Sequence, residues 1–271
     1  MKNKKALVVG QRVSQSLSPT IFKYWFKKYK TLGEYSFKNI KEKEFHYQIK
    51  TILKDKSLCG INITIPFKEK IMKHLDFIDN NAKKIGAVNC VTIKKNKLYG
   101  SNTDWVGYLN LIKSNILKKN RIKKEAIVLG YGGVGKAVVF ALLKLEYKKI
   151  HVFNRTTKKL KTLNNKRIKT YPLSKINAQI KNSNLIVNTI PINILKANNV
   201  PKKLPPNVII SDVIYRPLNT GFLNYFINPK LKLYGISMLI NQAAPCFNLW
   251  YGIKPKIDKG VLVNTKKQLL K

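Results

Sequence analysis

Residues 126–135, Ala-Ile-Val-Leu-Gly-Tyr-Gly-Gly-Val-Gly, limit the fold of this chain more than any other stretch. Four apolar residues read as a buried strand, Gly130-x-Gly132-x-x-Gly135 follows at once, and residues 136–145 read as an apolar helix. Glycines at that spacing, between a strand and a helix, let the backbone approach a pyrophosphate lying at the helix N-terminus. The segment therefore predicts a dinucleotide site, the alternative being a tight βα turn with no ligand. The next predicted strand, residues 150–153, runs into Asn154-Arg155-Thr156. Units that take NAD carry an Asp or Glu there, about 20 residues past the glycines, for the ribose 2′-hydroxyl. An acid would repel a 2′-phosphate, whereas Arg155 offers a planar, permanently charged fork suited to one, with Thr156 as a second donor and Lys158 and Lys159 close behind. The cofactor expected is NADP.

Along the whole chain, short β-branched runs alternate with amphipathic helical patterns, and no internal repeat is present, which predicts an α/β protein. Residues 6–10, 35–40 and 59–65 read as strands. Helices are expected over 19–30 and 41–54 and from Phe67, followed by a hairpin over 88–99 that turns at Lys94-Lys95-Asn96-Lys97. The second α/β series starts near Ala126, so the helix expected over 105–117 is the bridge between two domains. A final helix is expected over 237–251, with no place in the fold that pattern alone assigns.

With 53 Lys plus Arg against 12 Asp plus Glu, the formal net charge is +41, a balance that ordinarily suggests nucleic acid or an anionic membrane surface. Here the lysines are spread along the chain together with abundant Asn and Ile, the signature of an AT-rich coding bias, so no specific nucleic acid and no membrane partner is expected. Cys59, Cys90 and Cys246 stand alone, without Cys-x-x-Cys or His spacing, which argues against a disulfide framework or a zinc site and for a reducing, cytoplasmic setting. The apolar run 6–9 is too short for a signal peptide, and no window is long enough to span a membrane.

Within Gly60-Ile-Asn-Ile-Thr-Ile-Pro-Phe-Lys68, alternation puts three isoleucines on one side and Asn62 and Thr64 on the other, as a polar ledge. Pro66 is placed to open the next helix, which would set Lys68 in its first turn. The N-terminal end of a helix disfavours an ammonium, so Lys68 is expected to be either solvated or held by an acid, as a proton donor would be. In Gln15-Ser16-Leu17-Ser18-Pro19, Ser18 reads as the N-cap and Pro19 as the first helical residue, while Ser16 is left over. Two hydroxyls and free helix N–H groups make a carboxylate pocket. Residues 86–89 and 100–104 add amides and Asp104, a scarce acid that reads either as a site residue or as the cap of the following helix.

These motifs, in this order, resemble the shikimate dehydrogenase family over nearly the full length. The resemblance rests on Ser16-Leu17-Ser18-Pro19, on the stretch from Asn62 to Lys68, and on Ile85-Gly86-Ala87-Val88-Asn89. It continues through Asn102-Thr103-Asp104 with Gly107, Gly130-Tyr131-Gly132-Gly133 and Asn154-Arg155-Thr156. It ends with Asp212-Val213-Ile214-Tyr215-Arg216-Pro217 and Gly235-Ile236-Ser237-Met238-Leu239 with Gln242. The family implies a two-domain α/β fold: an N-terminal substrate domain over 1–103, to which 237–271 returns, and a Rossmann-type NADP domain over 104–236. It implies reduction of 3-dehydroshikimate to shikimate by NADPH, with Lys68 and Asp104 as the catalytic pair. Ser16 and Ser18 would bind the carboxylate, and Thr64, Asn89, Asp104, Tyr215 and Gln242 the hydroxyls. Gly130, Gly132, Gly133, Gly135, Asn154, Arg155, Thr156, Lys159, Ile214 and Gly235 would line the cofactor, and no metal is called for. A homodimer is an expectation with no motif of its own behind it.

The chain departs from the family pattern at Gln15, at Phe22-Lys23, and at Asn193-Ile194, where the family continues into a Gly-Met loop near the cofactor. The competing readings are a quinate/shikimate dehydrogenase using NAD, against which Arg155 argues, and a non-catalytic dinucleotide or nucleic-acid binder, which has no need of a proton donor facing a carboxylate pocket.

Overall fold

The computed structural model describes residues 4–116, 125–156, 160, 163–180, 183–191, 194–195 and 198–270. They form two compact units, one running to Gly107 and resuming at Leu239, the other spanning Tyr108–Met238.

In the first unit the order is β1 (Lys4–Gly10), α1 (Ser18–Tyr29), β2 (Gly33–Asn39), α2 (Phe45–Leu53), β3 (Leu58–Ile63), β4 (Phe77–Ile78), α3 (Asn80–Ile85), β5 (Cys90–Lys94) and β6 (Lys97–Ser101), after which α4 (Asp104–Asn115) begins. The sheet order is β2-β1-β3-β5-β6-β4, with β1 parallel to both β2 and β3, and β5 antiparallel to β3 and β6. Alternation along β1 and β3 sends Leu7, Val9, Ile61 and Ile63 into one core with Phe45 and Phe67, whose rings stack at 4.1 Å. On the other face Gly60 admits Trp250, to whose Cε2 a Cβ on Gly60 would come within 2.0 Å. Phe22 stacks on that ring at 5.7 Å and in turn packs against Trp25 and Phe247, which meet each other edge to face. Phe22, one of the departures from the family pattern, is thus a core residue with no solvent exposure. The hairpin turns on Lys95 and Asn96, both at positive φ (49° and 57°), the geometry that matches strand twist in a two-residue turn.

The second unit contains β7 (Glu125–Leu129), α5 (Gly133–Lys144), β8 (Lys149–Asn154), β9 (Ile168–Pro172), α6 (Asn177–Ile180), β10 (Leu185–Asn188), β11 (Ile209–Asp212), α7 (Gly221–Tyr225) and β12 (Leu231–Leu233). Its six strands are all parallel in the order β12-β11-β10-β7-β8-β9. Counted from β7, that is the 3-2-1-4-5-6 arrangement of doubly wound dinucleotide folds, with the switch point between β7 and β10. The α/β reading is borne out.

Three local expectations fail. β3 ends at Ile63, so Ile65 does not join the other two isoleucines and is instead two-thirds exposed. No helix starts at Pro66; a 3₁₀ turn begins only at Lys70. Nor is the helix predicted over 237–251 the last: α8 (Gly235–Tyr251) is followed by α9 (Lys259–Leu269), capped by Asp258, whose carboxylate accepts from the Val261 N–H at 2.9 Å. The stretch of alternating Lys, Pro and Ile before α9 hid a helix that starts on an ordinary Asp cap.

Candidate active site

The carboxyl ends of β1 and β3 lie side by side in the first unit. Thr64 N–H donates to the Val9 carbonyl (2.9 Å), and Phe67 N–H returns to the Thr64 carbonyl (2.9 Å), closing a tight turn around the cis Ile65–Pro66 peptide. Pro66 has no N–H to extend the strand. Lys68 follows this turn, and its carbonyl accepts the Val88 N–H at 2.8 Å, tying it to the segment that leads into β5. Lys68 therefore does not sit at a helix N-terminus; what holds it is an acid. Its Nζ donates to Asp104 Oδ2 at 2.6 Å, with both side chains less than a tenth exposed.

Asp104 opens α4 yet does not cap it. Asn102 Oδ1 accepts from the Asp104 N–H (3.1 Å) and the Trp105 N–H (3.4 Å), while Asn102 Nδ2 donates to the Ala87 carbonyl (2.8 Å). The Asp104 carboxylate is left for Lys68 on one oxygen and, on the other, for Asn89 Nδ2 at 3.1 Å. The Asn89 amide can face only one way, because its Oδ1 accepts the Thr103 backbone N–H at 2.6 Å and a backbone N–H can only donate. Its Nδ2 then serves Thr103 Oγ1 (2.9 Å), Asp104 and Gln242 Oε1 (3.1 Å). Lys68, Asn89, Asp104 and Gln242 are thus one hydrogen-bonded cluster, although Gln242 lies 153 residues beyond Asn89. All four are buried.

Two expectations need correction here. Ser18 is the first residue of α1, not its N-cap; Leu17 holds that position without a side-chain bond, and Pro19 is second in the helix. Ser16 supplies the missing acceptor instead, its Oγ taking the Ser18 N–H at 3.3 Å. Ser16 is half-buried and Ser18 buried. Asn62 is not on a solvent-facing ledge: it accepts from Tyr35 Oη (2.7 Å) and donates to the Asn89 carbonyl (3.0 Å) and Cys246 Sγ (3.3 Å), so it is a buried brace beneath the cluster. Thr64, half-buried, keeps its place at the strand end, where its methyl packs so closely that a Cβ on Gly10 would come within 2.4 Å of it. Sequence reasoning passes over Thr103 and Asn102 as individual contributors, though both lie in a motif the sequence displays.

In the second unit the glycine turn lies at the carboxyl end of β7. Gly130 has φ +97°, and an added Cβ would strike Ile190 and Thr189, which follow β10. At Gly135 a Cβ would come within 2.3 Å of the Gly130 carbonyl, so this glycine lets the helix close on the strand. Gly132 differs: nothing lies within 4 Å of where its Cβ would be, so the missing side chain leaves an open face at the N-terminus of α5, beside Gly133. That is the opening a pyrophosphate needs. Asn154, at the end of β8, accepts the Tyr131 N–H (3.3 Å) and donates to the Thr156 carbonyl (3.0 Å), joining the glycine turn to the segment that carries Arg155. Arg155 and Thr156 are exposed. Among the described residues no acid pairs with Arg155. Lys159 and Asn193 lie outside the described residues; Ile194 packs on the core of this unit.

At the end of β11, Asp212 accepts from Thr220 Oγ1 (2.6 Å), Ile214 N–H (2.9 Å) and Asn188 Nδ2 (3.0 Å). Burial raises its pKa against these three bonds, and they pin the turn that carries Ile214 and Tyr215. Gly235 is required where α8 begins, since a Cβ there would come within 2.4 Å of the Val213 carbonyl. Among the described residues no group of three or more metal-ligating side chains exists, and no helix is long and apolar enough to cross a membrane.

A doubly wound parallel sheet with an open glycine turn at its switch point, joined in one chain to a unit holding a buried Lys–Asp pair, places the protein in the class of two-unit, dinucleotide-dependent α/β dehydrogenases. Residues 8–91 match the model of the shikimate dehydrogenase substrate binding domain, and residues 112–210 that of shikimate/quinate 5-dehydrogenase. The chain belongs to the shikimate dehydrogenase family. Among its relatives, shikimate dehydrogenase (NADP(+)) from Clostridium beijerinckii is 35% identical over 252 residues, covering 90% of each chain. The protein of the same name from Staphylococcus haemolyticus is 33% identical over 257 residues, covering 93% of this chain and 94% of its own. The crystal structure of shikimate 5-dehydrogenase from Thermus thermophilus in complex with NADP(H) and shikimate superposes with a TM-score of 0.83 at 30% identity, covering 98% of this chain and 99% of that one.

Proposed function

We propose that the chain is an NADP-dependent shikimate dehydrogenase, reducing 3-dehydroshikimate to shikimate reversibly, with the first unit binding the substrate and the second the cofactor. The observation that carries this reading is the Lys68–Asp104 pair at 2.6 Å, buried yet built into a cluster of hydroxyl-binding side chains. NADPH, when bound, supplies the hydride to the ketone carbon. Lys68 then delivers a proton to the oxygen as it becomes an alkoxide, and Asp104 keeps the Lys68 ammonium oriented and charged. Asn89 and Gln242, fixed by Thr103 and by each other, hold the substrate hydroxyls, while Ser16 and Ser18 take the carboxylate. Gly130, Gly132, Gly133 and Gly135 make room for the pyrophosphate, and Arg155 with Thr156 holds the 2′-phosphate. The relatives named for NADP, and the absence of an acid after β8, support this choice over NAD.

The setting that fits is cytoplasmic, with small molecules as partners and the +41 charge as background. The test is direct. The purified chain should oxidise NADPH only when 3-dehydroshikimate is added, and should prefer NADPH to NADH. No turnover with 3-dehydroshikimate, or faster turnover with NADH, would sink the reading.

A further inference from the structure

The starts of β7, β8 and β9 lie together at the amino-terminal edge of the second unit's sheet, the end opposite the glycine turn. Strand pairing sets Glu125 beside Lys149 and His151 beside Lys169. Because alternate residues share a face, these four lie on the same side as Ile127, Phe153 and Tyr171. The core on that side is apolar over Ile127, Leu129 and Phe153 and then stops. In its place is a cavity of about 510 Å³, lined mainly by polar groups from these strands and from the Gln179, Ser183 and Asn184 segment.

His151 forms part of the wall, only 4% exposed and stacked on Tyr171 at 5.7 Å. Neither ring nitrogen has a hydrogen-bond partner, and Nε2 stands 3.8 Å from Glu125 Oε2. Asn184 Oδ1 is buried there without a partner as well. Buried polar atoms of this kind are normally satisfied by protein, water or a ligand. Charge separates the last two. Glu125 is engaged by Lys149 at 3.2 Å, whereas Lys169 has no acidic partner among the described residues, so the cavity is cationic even with His151 neutral. Water can satisfy hydrogen bonds there and solvates the exposed Lys169, but the positive balance of the lining favours an anionic occupant.

We propose that this cavity is a second binding site, for a small phosphate monoester that carries hydroxyl groups. Phosphate oxygens accept from Lys169 and from the imidazole N–H; the ligand's hydroxyls donate to the other ring nitrogen and to Asn184 Oδ1. The volume falls within the range of about 300–1,000 Å³ typical of small-molecule sites, well above that of a lone ion. The groups facing His151 are Glu125 on β7, Lys149 on its own strand, and Lys169 and Tyr171 on β9. Burial and the two lysines hold the imidazole pKa below its ordinary value and Glu125 opposes them, so an incoming dianion must raise it. Binding of the dianion, above the monoester's own second pKa of about 6, is therefore accompanied by proton uptake at the imidazole.

The test uses the full chain with NADP⁺ in excess, so that phosphate cannot occupy the segment around Arg155. Glycerol 3-phosphate is titrated while the His151 ring resonances are followed by NMR. A saturable shift is expected, with a rise in the His151 titration midpoint. Lys169 is exposed, so Lys169→Ala should fold, and it should weaken binding about tenfold, the loss expected for one charge-assisted hydrogen bond. Arg155→Ala should leave binding unchanged. No saturable shift, or binding that Lys169→Ala leaves intact, overturns the proposal. Equal affinity for inorganic phosphate overturns the role given to the hydroxyls, and equal affinity for glycerol overturns the role given to the phosphate.

Discussion

Removing the Lys68 ammonium while keeping its apolar stem, as in Lys68→Met, separates chemistry from structure. In the parent protein the two charges sit 2.6 Å apart with less than a tenth of either side chain exposed. After the change Asp104 Oδ2 has lost its donor, and Asn89 Nδ2, 3.1 Å from Oδ1, is the remaining neutral contact. Breaking one half of a buried pair costs about 3–5 kcal/mol. Asp104 lies in the first turn of α4, where the helix dipole returns roughly 0.5 kcal/mol to a carboxylate. A loss of about 3 kcal/mol is expected, which lowers the melting temperature by roughly 6–12 °C in a chain of this size.

Adding Asp104→Asn removes the stranded charge. Because replacing both members of a buried pair is close to neutral, the double variant should regain all but ~1 kcal/mol. Activity should not follow. Losing a general acid costs about 10² to 10⁴ in kcat, and restoring the fold does not restore a proton donor. Thermal denaturation by circular dichroism and steady-state NADPH oxidation measure the two quantities on the same samples. If the double variant melts as low as Lys68→Met, the pair is not coupled as described. If Lys68→Met keeps kcat near that of the parent, Lys68 is not the proton donor.

Arg155→Ala should raise KM for NADPH by about 10- to 100-fold, the worth of its charge-assisted bonds, and leave KM for NADH unchanged; an equal effect on both would show that the arginine does not read the 2′-phosphate. Ser16→Ala should raise KM for 3-dehydroshikimate with kcat little changed, as steady-state kinetics would report. Gly60→Ala would drive a methyl to 2.0 Å from Trp250 Cε2 and should cost about 1–3 kcal/mol by denaturant melts, part of it recovered by Trp250→Phe. Asp258 is held at a pKa of about 2, first by the Lys28 ammonium and then by the Val261 N–H at the start of α9. A depressed folded-state value means that its stabilisation is full above pH ~4 and is lost as pH falls through about 2. Asp258→Ala should therefore cost about 1 kcal/mol near neutrality through the lost cap, with the gap to the parent closing in melts taken across that acid window.

Much of this architecture is legible in the sequence because it is local. The β7–turn–α5 segment states its own geometry, and the positive-φ turn at Lys95-Asn96 announces a hairpin. What alternation misjudges depends on distant chain. It assigns Asn62 a polar face correctly, but α8 covers that face, and the contact with Cys246 spans 184 residues. The break after Ile63 depends on the Thr64–Phe67 turn, which a pattern of alternating apolar residues overruns. His151 leaves no signal at all: it sits within an apolar run and belongs to no motif, and only the pairing of three strand starts shows that polar groups replace the core there.

The scarcity of acids gives the position of Asp104 its meaning. A carboxylate at the start of a helix is ordinarily consumed by capping, and in a chain with 12 acids against 53 cations it could equally be drawn into any nearby ion pair. Here Asn102 takes over the cap with one amide and anchors itself to the Ala87 carbonyl with the same side chain. Asn89 fixes the second Asp104 oxygen, and its own amide is oriented by a backbone donor that cannot reverse. Each neutral amide thus removes one alternative use of the carboxylate, until a single oxygen remains for a single ammonium. A chain crowded with lysines selects one of them in this way, by the order in which its uncharged neighbours are satisfied, since charge alone would not distinguish Lys68 from the rest.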